Sequence, residues 1–207
     1  MATDRAFLKT LAAEWSGHEE RASQGLPSWR PAPGPPLPVS PVALHAQLEE
    51  VLAALAAMRP DIVRHAGRFV TSAWTLKDLV GHLASWASEF RQEVQTVAGG
   101  GSFDYAIPFA LHVIGPNEWN ARAAERQRPL PLDDLLGEFE RETRRLQDLV
   151  LELPPPALYG EASFPLAPSG DPQQTLRASI AMIVLGKCGH DLYHLGRIAD
   201  FLERLER

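Results

Sequence analysis

Three histidines carry the chemistry that this sequence could do. His82 stands in Trp74-Thr-Leu-Lys-Asp-Leu-Val-Gly-His82-Leu-Ala-Ser-Trp86, and a pair stands in Gly189-His190-Asp191-Leu-Tyr193-His194-Leu-Gly196. The pair is four residues apart in a segment that reads as helix. A helix turns about 100° per residue, so its members share one face, one turn apart. Two imidazoles so placed can hold one metal ion, and His82 on a second amphipathic helix could supply a third nitrogen. Three neutral ligands leave a divalent cation its full charge and an open position, the mark of a catalytic rather than a structural site.

The neighbours of these histidines are weighed by type and phase. Asp191 makes the pair His-Asp-x-x-His, one methylene short of the His-Glu-x-x-His peptidase motif. No third downstream ligand follows, so an aspartate at the surface or behind a ligand is preferred to a peptidase base. Trp86 and Glu89 fall four and seven residues after His82, on its face. Trp86 reads as core or pocket wall. Glu89 could orient an imidazole or act as a base, or be a surface glutamate, because a carboxylate on an apolar stripe needs a partner. Asn120 could hydrogen-bond a substrate, although capping is the ordinary role of an asparagine where a loop enters a helix. Tyr193 and Arg197 flank His194. Arg197 could bind an anionic substrate, with a solvated helix face as its ordinary reading. Cys188 reads as a buried filler. Of the remaining histidines only His112 is a reserve ligand.

These residues must be positioned by helices. Leu44, Leu48, Val51, Leu52 and Leu55 form an apolar stripe at helical spacing, with Pro60 ending or following that helix. A second helix is expected from Thr75, where Asp78 three residues on resembles a capping box. Its buried face holds Leu76, Leu79, Val80, Leu83, Trp86, Ala87 and Phe90, and Gly99-Gly100-Gly101 stops it. A short helix is expected near Glu118–Gln127, a third long one over Leu132 to Leu153, and a last one from about Gln173 to Leu205, with Pro172 at its first turn. Tyr159 to Asp171 reads as irregular, and no convincing run of strands is seen. Four such stripes bury one another most simply as an all-α four-helix bundle, a fold whose facing helices often build metal sites.

Residues 1–41 stand apart from the domain at 42–207. Ser23 to Pro41 holds 7 of the 18 prolines, a density that forbids regular helix and predicts an extended connector. Ahead of it, Phe7, Leu8, Leu11 and Trp15 predict an accessory helix over residues 4–22. The 207 residues, 45% apolar and 22% charged, suit a globular chain. A net charge of −6 argues against a nucleic-acid partner. No signal peptide or membrane span is read, and a single cysteine suits the reducing cytoplasm.

The order of the His82 motif, Pro116-Asn-Glu-Trp-Asn120 and His190-x-x-x-His194-x-Gly196 resembles the DinB/YfiT-like superfamily of metalloenzymes, in particular its DinB_2 and DfsB/ClbS-type branches. The resemblance covers about Val42 to Leu205. It implies a four-helix bundle, usually a homodimer, with a stress-response flavour. It also implies one divalent metal, zinc or nickel, held by His82, His190 and His194. Where family members carry a glutamine after the glycine, this chain has Arg197. Characterised branches include thiol-dependent transferases and isomerases and a cyclopropane hydrolase. The resemblance therefore implies a thiol S-transferase or hydrolase acting on a small molecule, with a low-molecular-weight thiol as a possible partner. A non-catalytic bundle that sequesters a toxic compound is the alternative. Zinc or nickel could acidify a bound water or thiol.

Overall fold

The computed structural model describes residues 40–99, 115–165 and 175–207. The accessory helix and connector read in residues 1–41, up to residue 39, lie outside the described residues, as do most of the Gly99–Pro116 loop, His112 and Pro172. Six helices and one hairpin are found among the described residues. They are α1 (Pro41–His65), α2 (Leu76–Ala98), α3 (Gly115–Gln127), α4 (Leu132–Glu152), α5 (Pro155–Tyr159), β1 (Glu161–Pro165), β2 (Thr175–Ser179) and α6 (Ile180–Leu205).

The long helices form where the stripes predict them. Ser40 caps α1 by accepting from Ala43 N at 3.1 Å. Every member of the Leu44–Leu55 stripe is buried. Pro60 does not end this helix, which runs on to His65. The carbonyl that loses its N–H partner belongs to Ala56 on the exposed face, and buried Ile62 continues the packed stripe. In α2 both halves of the capping box form: Asp78 N donates to Thr75 Oγ1 at 3.1 Å, and Thr75 N to Asp78 Oδ2 at 2.9 Å.

α4 packs on α1 and α2, and α6 packs on the same two, so α1/α2 and α4/α6 are the diagonals of a four-helix bundle. Leu44, Leu48, Leu76, Leu83, Leu136, Phe139, Leu146 and Leu195 meet in one apolar core. Each such side chain contributes about 1.5–3 kcal/mol when fully buried. Ionic contacts line the seams: Arg91 of α2 donates to buried Glu142 of α4 at 2.5 Å, and Arg59 of α1 to Glu140 at 2.9 Å.

The hairpin and the start of α6 correct the sequence reading. β1 and β2 pair antiparallel, Glu161 opposite Ser179 and Pro165 opposite Thr175. The last helix therefore begins at Ile180, with Ser179 accepting from Met182 N at 3.3 Å as its cap. A five-residue strand depends on a partner elsewhere in the chain, which periodicity within one segment does not reveal.

Candidate metal centre

The turn between α1 and α2 sets the site's floor. Val70 N and Leu76 N donate to Trp74 O and Arg68 O, both at 2.9 Å. Trp74 is thereby held with its ring centroid 5.1 Å from that of His82. His82 lies about two turns into α2, on the face that packs against α6. On α6, the four-residue spacing brings His190 and His194 to the same seam.

The three imidazoles converge. His82 Nε2 lies 3.1 Å from Nε2 of His190 and 3.1 Å from Nε2 of His194, and all three residues offer ligand atoms within 4.8 Å of one another. A tetrahedral ion with metal–nitrogen bonds of about 2.0–2.1 Å would set nitrogens about 3.3 Å apart. Direct hydrogen bonding satisfies the cluster poorly. A neutral ring nitrogen either donates or accepts, and His190 Nδ1 is already engaged with Asp191 Oδ1 at 3.0 Å. His190 Nε2 is then an acceptor, and one proton on His82 cannot serve both neighbours well. Nδ1 of His82 and of His194 is buried without a hydrogen-bond partner among the described residues. The donor set of three imidazoles fits a divalent transition-metal ion.

The surroundings favour the neutral form of two of the three histidines. Burial pushes the pKa of His82 well below the usual histidine value, and the charges of His190 and Arg197 push the same way. His194 is lowered by burial too, then by His190, His82 and Arg197. Neutral imidazole is the form that coordinates a metal. Aromatic rings close the flanks: Trp86 lies 6.1 Å from His82 and 5.5 Å from His190, Phe90 lies 6.4 Å from His190, and Tyr193 lies 4.9 Å from His194.

The other expected residues fall as follows. Trp86 is half-buried, and its Nε1 donates to Asn120 Oδ1 at 2.9 Å. Asn120 sits inside α3, not at its start, and so joins α3 to α2 instead of capping a helix. Tyr193 is buried. Arg197 is half-buried, its guanidinium 5.7 Å from the Tyr193 ring, so it does not lie on a solvated face. Asp191 is wholly buried, with one oxygen toward His190 and the other on Lys187. Glu89 is half-buried and lines a separate cavity of about 260 Å³ with Ser85, Ser88, Arg126, Gln127 and Glu138. Burial raises its pKa while Arg126 opposes the rise. The histidines do not line that cavity. Cys188 is buried, and burial pushes its thiol up to about 12, so it is no nucleophile.

Four residues near the site went unread in the sequence. Trp74 lay in a quoted motif without a role. Lys187 is fully buried, four residues before Asp191, and a lysine inside so apolar a helix was a usable signal. Thr143 accepts from its Nζ at 3.3 Å, which only the packing of α4 could reveal. Glu93 is buried four residues beyond Glu89 on the histidine face, and burial, then the Glu89 charge, raises its pKa to about 8.

A family model described as the mycothiol maleylpyruvate isomerase N-terminal domain matches residues 44–179, more than half of the chain. The matched span contains His82 and ends before His190 and His194, which the fold itself brings to it. No curated protein and no solved structure matches the chain. The chain belongs to the mycothiol maleylpyruvate isomerase N-terminal domain family, within the DinB/YfiT-like superfamily of helical metal-binding proteins.

Proposed function

We propose that this chain is a metal-dependent enzyme that adds a low-molecular-weight thiol to a small electrophile, or transfers one between small molecules. His82, His190 and His194 would be its metal ligands, and zinc or nickel its single ion. The observation that carries the reading is the convergence of the three imidazoles, His82 Nε2 lying 3.1 Å from Nε2 of both His190 and His194, with His82 and His194 buried among aromatic rings. The ion would supply Lewis acidity at an open position, where a thiol or water ionises more readily. The name of the matching family, which couples mycothiol to an isomerase, favours the thiol over water.

The protein's own residues supply the rest. Burial keeps two ligands neutral at physiological pH. The rings of Trp74, Trp86, Phe90 and Tyr193 exclude solvent from the flanks, which strengthens electrostatic interactions inside. Arg197 places a fixed positive charge close enough to lower both His82 and His194, and would draw an anionic substrate toward them. Trp86, Asn120 and Tyr193 are the further candidates to line the substrate; Glu89, in its separate cavity, is placed away from the three imidazoles.

The test is turnover of an activated electrophile with mycothiol or another small thiol, using metal-stripped and zinc- or nickel-loaded protein. Thiol-dependent acceleration that appears only after loading is expected. Loaded protein that cleaves activated esters without thiol would make it a hydrolase. Tight ligand binding with neither activity would favour sequestration.

A further inference from the structure

We propose that Asp191 and Lys187 form a buried positioning pair that fixes His190 with its proton on Nδ1 and its Nε2 lone pair aimed at the triad's centre. The proposal rests on reading the triad as metal ligands, but its first observable does not. Asp191 divides its two oxygens: Oδ2 accepts from Lys187 Nζ, and Oδ1 faces His190 Nδ1 at 3.0 Å. Both charged side chains are wholly removed from solvent. Lys187 is pinned in turn by α4, donating to Thr143 Oγ1 at 3.3 Å and lying 5.1 Å from the centre of the Phe139 ring. Since α4 and α6 lie on a diagonal of the bundle, this lysine carries a polar contact across its core.

Stability alone is a weak reason for such a pair. Two charges stripped of water gain little over an apolar pair of the same volume, and replacing both is often neutral. A reason lies in the asymmetry of the triad. Among the described residues His82 and His194 have Nδ1 atoms without a hydrogen-bond partner, whereas the third ring has a carboxylate. An ionised carboxylate on Nδ1–H selects the tautomer, holds the ring plane and raises the basicity of Nε2. Lys187 gives the second oxygen of this buried carboxylate the partner it needs. His190 is then the anchor that meets the ion in its final orientation, and the other two rings close on it.

The test uses the full chain and three variants: Asp191→Ala, Asp191→Asn, and the double variant Lys187→Met with Asp191→Leu, which leaves no buried charge unpaired. Imidazole ¹⁵N shifts of metal-stripped protein should place the His190 proton on Nδ1 in the wild type and release it toward Nε2 in Asp191→Ala and the double variant. Zinc affinity by chelator competition should fall about 10–100-fold in both, while Asp191→Asn, keeping an acceptor without the charge, should fall between them and the wild type. A double variant that is folded, with unchanged tautomer and unchanged zinc affinity, would overturn the proposal and leave a plain core ion pair. Should the wild type itself take up no zinc, the metal reading fails, and the tautomer measurement alone still supports or overturns the positioning role.

Discussion

Glu93, about three turns beyond His82 on α2, shows at the residue scale how burial sets the chemistry of a side chain. Its carboxyl is buried with Glu89 one turn away, and burial first, then that neighbouring charge, raises its pKa from 4.5 to about 8. The folded state therefore favours the protonated acid. The stability this lends is complete below the unfolded value of 4.5 and is lost as pH rises through about 8. In Glu93→Gln the loss should vanish. The gap in unfolding free energy between variant and wild type should widen by a few kcal/mol, on the order of the shift, from pH 5 to pH 8.5. A pH-independent gap in denaturant titrations would mean that Glu93 ionises normally. Such effects were poorly legible in the sequence. The histidines announced themselves by type and spacing, and Lys187 by its apolar helix, but the Thr143 partner of Lys187 and the burial of Glu93 are properties of packing.

At the scale of the element, the start of α2 was the most readable part of the chain. Thr75 and Asp78 predict a capping box, and both of its hydrogen bonds are present. The cap holds the first turn, whereas His82 sits beyond it, packed against α6. Thr75→Ala should cost about 1 kcal/mol and leave metal content unchanged. If metal is lost with the cap, the helix start positions the ligand more directly than the packing does. The start of α6 was less readable. The strand before it depends on residues 161–165 for its hydrogen bonds, and no local pattern states that pairing. Pro60 was misread for a related reason: a proline stops an isolated helix, yet a helix clamped on α4 and α6 tolerates one on its wet face.

For the whole molecule, the all-α bundle was legible because four stripes of 3.6-residue period have few other ways to be buried. The diagonal placement of α1 and α2 was not, since a stripe shows that a helix packs and not against which neighbour. Among the described residues no helix is long and apolar enough to cross a membrane. The division at residue 41 remains an expectation with a direct test. Deleting residues 1–38 keeps the Ser40 cap of α1 and should leave metal binding in place, while thermal stability falls or a dimer equilibrium shifts. Loss of metal on truncation would bring the N-terminal segment into the site, and unchanged stability and assembly would make it a dispensable tail.

The central claim is that His82, His190 and His194 together hold one divalent ion. Elemental analysis of purified wild-type protein and of His82→Ala, His190→Ala and His194→Ala, each checked for helical circular dichroism, tests it most directly. Close to one zinc or nickel per wild-type chain is expected, with a sharp loss in each variant while helicity is retained. Full occupancy in any one variant would remove that histidine from the site. A wild-type chain that takes up no metal, with variants that unfold, would make the three histidines members of the core and contradict the account.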